Sequence, residues 1–171
     1  DGQIAQAVTD VTLNHGVHYF AAAGNYSDQA IDATFFPDPQ RGQLHVFANN
    51  GAPDIDLGVY IPHGATFSVW MQWDEPFYSA SGYPGASTDL DLGLFNSNGN
   101  LVAISDNRNI GLDPLEQITF RNDGPSAIFQ LAVSRYWGTR APTFKLLFTG
   151  GDFDALDFEY GFSGRTVISH P

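Results

Sequence analysis

The sequence predicts a mainly β protein, an antiparallel β-sandwich of about eight strands with a jelly-roll-like character, preceded by a short helix–strand unit. Three observations carry this. Through the middle of the chain, apolar residues recur at every second position, as in Phe67, Val69, Met71 and Trp73. That period puts one face of a strand on a core and the other towards solvent. Turn-forming clusters separate such runs at intervals of roughly 8–12 residues, the rhythm of a sandwich. The N-terminal part differs: a helical period there leads into an unbroken apolar run.

Ile4, Val8 and Val11 stand at i, i+4 and i+7 with Ala5 and Ala7 beside them, one face of a short amphipathic helix. Asn14-His15-Gly16 ends it, with Gly16 suited to the position past a helix terminus. Residues 17–23 are too uniformly apolar for a half-solvated strand and suit a central parallel strand buried on both faces. Residues 43–48 and 55–61 are the first strands expected in the sandwich, and residues 67–73 the most regular. Leu90, Leu92 and Leu94 then alternate with Asp89, Asp91 and Gly93. Asn98-Gly99 favours the positive φ of a hairpin turn, so residues 101–104 return as its second arm. Residues 116–121 form the next strand, and Asn122-Asp123-Gly124-Pro125 turns the chain. Phe129, Leu131 and Val133 mark one more, and Phe144, Leu146 and Phe148 the last before Gly150-Gly151. Such a sandwich buries most of the 14 phenylalanines.

Composition narrows the function. The 171 residues suffice for one core with flanking pieces. Absence of cysteine excludes disulfides and thiol chemistry. A formal charge of −12, from 19 acidic against 7 basic residues, argues against nucleic acid and anionic membrane surfaces as partners. No apolar run approaches the length of a membrane span, and no signal peptide is recognisable, so the targeting signal of a secreted protein is expected upstream of Asp1.

Val17-His18-Tyr19-Phe20-Ala21-Ala22-Ala23-Gly24-Asn25 resembles the oxyanion-hole segment of subtilisin-like serine peptidases (subtilases, peptidase family S8). Gly164-Arg165-Thr166-Val167-Ile168-Ser169-His170-Pro171 is similar to the stretch where many subtilases resume after it. The resemblance implies a catalytic-domain segment at residues 1–26, an inserted sandwich at 27–160 and a return segment at 161–171. It also implies that the Asn25 amide donates to the tetrahedral oxyanion in the assembled enzyme. The motifs that carry the Asp, His and Ser of a triad are absent, so proteolysis is expected of a longer polypeptide and not of this chain alone. From Ser87 to Asn107, Ser-Thr-Asp-Leu-Asp-Leu-Gly-Leu-Phe-Asn-Ser-Asn-Gly-Asn-Leu-Val-Ala-Ile-Ser-Asp-Asn resembles the signature hairpin of bacterial pre-peptidase C-terminal (PPC-type) domains. Trp73-Asp74-Glu75-Pro76 and the Phe144-to-Phe148 strand fit the same family, over residues 40–150. Those domains usually lie at a C-terminus, so an inserted position departs from their pattern.

The candidate site residues follow. Asp89 and Asp91, two apart on one strand, share a face; with Asp106 or Asn107 across the hairpin and Asp74 near a strand end they offer an oxygen-rich Ca2+ site. Asp152, Asp154, Asp157 and Glu159 make a second acidic cluster. For both, solvated strand faces or acceptors for turn amides are the alternative. His15, His18, His45, His63 and His170 show no metal-ligand spacing, and Ser79-Ala80-Ser81-Gly82 carries no nucleophile elbow. Trp70, Phe77, Tyr78, Tyr83, Tyr136 and Trp137 are candidates to stack on sugars or extended polypeptide; packing beneath the loops, or of Trp70 against the catalytic domain or a flanking segment, is the alternative.

The expectation is thus a non-catalytic accessory sandwich of a secreted subtilase, which shapes or stabilises the active-site cleft or binds substrate. Its partners are the catalytic domain in cis and the protein substrate. The alternative is an independent carbohydrate- or Ca2+-binding adhesion module. Residues 17–23, without parallel neighbours, would offer a sticky surface for dimerisation.

Overall fold

Alternating apolar residues close into two facing sheets in the computed structural model, which describes residues 3–20, 29–49, 51–150 and 152–161. The elements are α1 (Gln3–Leu13), β1 (Ala30–Thr34), β2 (Ala48–Asn49), β3 (Pro53–Asp54), β4 (Leu57–Ile61), β5 (Thr66–Trp73), α2 (Tyr78–Ser81), β6 (Asp89–Phe95), β7 (Leu101–Ser105), β8 (Leu115–Arg121), β9 (Ala127–Trp137), β10 (Thr143–Thr149) and β11 (Asp157–Phe158). One sheet has the order β1-β10-β5-β8 and the other β11-β4-β9-β6-β7; all neighbours are antiparallel. The chain is therefore a mainly β sandwich, as its period-2 pattern predicts.

The core is the sum of those patterns. Phe67, Val69, Met71 and Trp73 of β5 and Phe144, Leu146 and Phe148 of β10 face Leu57, Val59 and Ile61 of β4, Leu90, Leu92 and Leu94 of β6, and Leu131 and Val133 of β9. Each such side chain contributes about 1.5–3 kcal/mol when fully buried. His45 sits among the rings of Phe35, Phe47 and Phe144, where burial pushes its pKa down to about 4. The neutral ring accepts the Phe36 amide at Nδ1, 3.0 Å away.

Two expectations are corrected. Residues 43–48 do not form one strand: Pro37 bridges His45, Leu44 bridges Ser134, and only Ala48 joins a short ladder. The cause is that its amides go to different partners, His45 to the Val133 carbonyl, Val46 to the Phe36 carbonyl and Phe47 to the Asp54 carbonyl, so no single neighbour extends the ladder. Residues 17–20 are not in a strand: the helix ends at Leu13, the chain turns away through Gly16 (φ 65°), and Phe20 is 90 % exposed. An apolar run earns burial on both faces only between neighbouring strands, and none flanks these residues among those described. Residues 21–28, including Asn25, and the return segment 162–171 lie outside the described residues.

The two ends of the sandwich converge. The Phe148 amide donates to the Gln29 carbonyl at 2.8 Å, just before β1, and the Phe158 ring of β11 lies 4.8 Å from the Phe148 ring. Among the described residues no helix is long and apolar enough to cross a membrane.

Candidate functional site: an acidic cleft beside an aromatic ridge

β6 presents its leucines to the core and its aspartates to the other face, so Asp89 and Asp91 stand together as their spacing predicts. Opposite them β9 bulges: Asp89 pairs with Trp137 but Leu90 with Arg135, which leaves Tyr136 as the extra residue. A bulge re-aims the side chains around it. Here it leaves Tyr136 72 % and Trp137 65 % exposed, as a ridge at the end of the sheet. Between this ridge and the β6–β7 hairpin lies a cleft of about 800 Å3, lined by Asp89, Asp91, Asp106, Arg108, Tyr136 and Trp137 with Ile104 and Ile110.

The charges in the cleft are poorly compensated. The Asp91 carboxylate has no hydrogen bond or ion pair among the described residues; its pKa is pushed up to about 7 by burial and by the neighbouring charges of Asp89, Glu116 and Asp106. Asp89 is raised by burial, an effect offset in part by the Asn109 amide that its Oδ1 accepts at 3.2 Å and by the charge of Arg108. Arg108 itself forms no ion pair with any described carboxylate. Behind the cleft Glu116 of β8 is 1 % exposed, and burial raises it although Ser105 Oγ and Asn107 Nδ2 both donate to its Oε2. Glu116 Oε1 and the Oδ1 of Asn109, itself 3 % exposed, have no hydrogen-bond partner among the described residues. Glu116 links the open edges of the two sheets, since Ser105 closes β7. Its alternation within an ordinary strand gave the sequence reading no reason to single it out.

The other side of the ridge is polar and already engaged. A second cleft there is lined by Ser87, Thr88, Arg135, Tyr136, Trp137 and Arg140. Arg135 lies over the Phe35 ring at 4.8 Å and donates to the Arg140 carbonyl. Arg140 in turn pairs with Asp74 at 3.0 Å and Glu75 at 3.3 Å. Asp74 thus belongs to this clasp, where it also accepts the Thr143 amide, and is not a partner of Asp89 and Asp91.

No protein-family model matches the chain, and no curated protein matches it.

The remaining candidates disperse. Asp152 accepts the Thr66 amide at 2.9 Å, Glu159 the Gly58 amide at 3.0 Å, and Asp157 the Phe158 amide at 3.0 Å, so three members of the second acidic cluster hold backbone amides. Among the described residues no group of three or more Asp, Glu or His is arranged to hold a metal ion. His63 Nδ1 meets the Gly124 carbonyl, and Ser81 Oγ donates to the Phe77 carbonyl, so neither enters a nucleophile–base pair. Tyr78 and Tyr83 are exposed as expected, Trp70 partly so, on the outer face of β5.

Proposed function

We propose that this chain supplies a non-catalytic accessory β-sandwich to a secreted subtilisin-like serine endopeptidase, where it shapes or stabilises the active-site cleft or binds substrate. One observation carries the reading furthest: Gln29, where the sandwich starts, and Phe158, in its last strand, both meet Phe148. A domain spliced into a loop of another domain needs its two ends side by side, and this one has them. The paired strands run from Ala30 to Phe158, within the residues 27–160 that the resemblance assigns to an insertion. The oxyanion-type segment before them supports a cleft-side position, because an insertion directly after Asn25 projects from the rim of the active site.

The test is peptidase activity of the longer polypeptide on a general protein substrate, beside this chain and beside an Asn25→Ala variant of the longer polypeptide. The expected result is cleavage by the longer polypeptide, none by this chain, and a loss of about 100- to 1000-fold in turnover for Asn25→Ala. A silent Asn25→Ala substitution removes the assignment and leaves an independent binding module.

A further inference from the structure

We propose that the cleft between the β6–β7 hairpin and the Tyr136–Trp137 ridge binds a lysine or arginine side chain of an extended polypeptide. The proposal rests on the accessory-domain reading, and names the substrate feature that such a domain would hold.

Three independent features point to a cationic occupant. First, the cleft brings Asp89, Asp91 and Asp106 to one opening, and Asp91 has no donor of its own among the described residues. Second, Glu116, 1 % exposed behind the cleft and not part of its lining, adds negative charge that acts on Asp91. Like charges held close together repel, and a cation among them offsets that cost. Third, the opposite wall consists of two exposed aromatic rings held by a bulge. Aromatic faces attract ammonium and guanidinium groups within about 6 Å, and they also cover the methylene stem of such a side chain. A bare metal ion fits less well, because the carboxylates are not gathered around one point. An organic cation spreads its donors over several ångströms and does not need them to be.

Arg108 sharpens the argument. It lines the same cleft, influences Asp89, and yet forms no ion pair among the described residues. It is the chain's own competitor for the site, so its removal strengthens binding of an external cation.

The experiment titrates the full 171-residue chain with a blocked heptapeptide that carries one central arginine, and with its glutamine counterpart, by calorimetry at pH 8. The arginine peptide is expected to bind at least about tenfold more tightly than the glutamine peptide, a difference equivalent to one charge-assisted contact. Asp91→Asn and the exposed Asp106→Asn should each weaken it several-fold. Trp137→Ala should do the same, and Arg108→Ala should tighten it. Unchanged melting temperature in Asp106→Asn and Trp137→Ala separates loss of binding from loss of fold. Equal affinity for both peptides, or no binding of either, overturns the proposal. So does binding of Ca2+ alone with the peptide inert. None of these outcomes bears on cleavage by the longer polypeptide, so this proposal and the accessory-domain reading fail separately.

Discussion

Glu75 accepts both the amide and the hydroxyl of Thr88, at 2.8 and 2.9 Å. Ser87 repeats the arrangement, with its amide at 2.7 Å and its hydroxyl at 2.8 Å, and Trp73 Nε1 and Arg140 complete the ring of donors. This one carboxylate ties the end of β5 to the start of β6, which lie in opposite sheets, and so sets the position of Asp89 and Asp91. Removing it takes the acceptor from four donors, of which the amide and hydroxyl of Thr88 are fully buried. Glu75→Ala should cost about 3–5 kcal/mol, read as a lower urea midpoint.

The same carboxylate predicts acid sensitivity. Burial raises the pKa of Glu75, but the hydrogen bonds from Ser87 and Thr88 outweigh it and hold the group below the usual glutamate value. A depressed folded pKa gives stability that is present above the unfolded value and lost as pH falls through the folded one. Wild-type stability should therefore drop as pH falls through and below the ordinary glutamate range. Glu75→Gln, less stable at neutral pH, should show a shallower drop. Parallel slopes for the two proteins would assign the acid sensitivity elsewhere.

Asp91 has the opposite sign. Its folded pKa of about 7 lies above the ordinary aspartate value of 3.8. Between those values the unfolded state has released its proton and the folded state has not. The Asp91 contribution to stability therefore declines as pH rises from about 4 to about 7, and stays low above that. Asp91→Asn removes the titration and should melt several degrees above wild type at pH 8, with little gain at pH 4.5. An equal gain at both values would mean that packing, not charge, limits the site. Occupation of the cleft by a cationic peptide should narrow the difference at pH 8.

The sandwich was legible because its strongest strands are long and alternate without interruption, so β5, β6, β9 and β10 could be read from Phe67, Leu90, Phe129 and Phe144 onwards. β1 and β11 were not. Ala30–Thr34 has no clean alternation and is a strand only because β10 offers an edge, while Asp157–Phe158 is two residues long. Asp89, Asp91 and Asp106 were found from hairpin spacing, and Asp74 was wrongly grouped with them because sequence cannot show that Arg140 holds it. Glu116 was missed as a site residue because its environment is made by Ser105, Asn107 and Asn109 from a separate segment. The bulge that raises Tyr136 and Trp137 into a ridge is a property of pairing, which no single strand encodes.

A contrast between two glycines tests how closely the loops before and after the β6–β7 hairpin are packed. Gly85 has φ 73°, and a Cβ there would lie 2.4 Å from the Gly111 carbonyl carbon; Gly99 has φ 75° with open space around it. The backbone just after Gly85 is held, since the Ala86 amide donates to the Leu112 carbonyl and the Gly111 amide to the Ala86 carbonyl. Gly99→Ala should therefore cost only the left-handed conformation, about 1–2 kcal/mol. Gly85→Ala adds a backbone clash and should cost more, about 3 kcal/mol or above. Equal melting temperatures for the two variants would show that the Gly85 loop can move aside.

The N-terminal helix should prove dispensable for the sandwich. Among the described residues, none that forms the core or packs against it comes from α1, and the chain beyond the helix exposes Val17, Tyr19 and Phe20. The first backbone bond to the sandwich described after the helix is made by Gln29, so a cut before it leaves the β1–β10 edge intact. Deleting residues 1–28 should shift the melting temperature by no more than about 2 °C, the size of a surface change in a domain of this length. It should also remove concentration-dependent self-association, because the exposed apolar run is the natural contact between copies. Sedimentation velocity on the full chain, on the deletion and on Phe20→Ser separates the cases. Association that survives both changes lies on another surface, and a large fall in melting temperature means that α1 stabilises the sandwich directly.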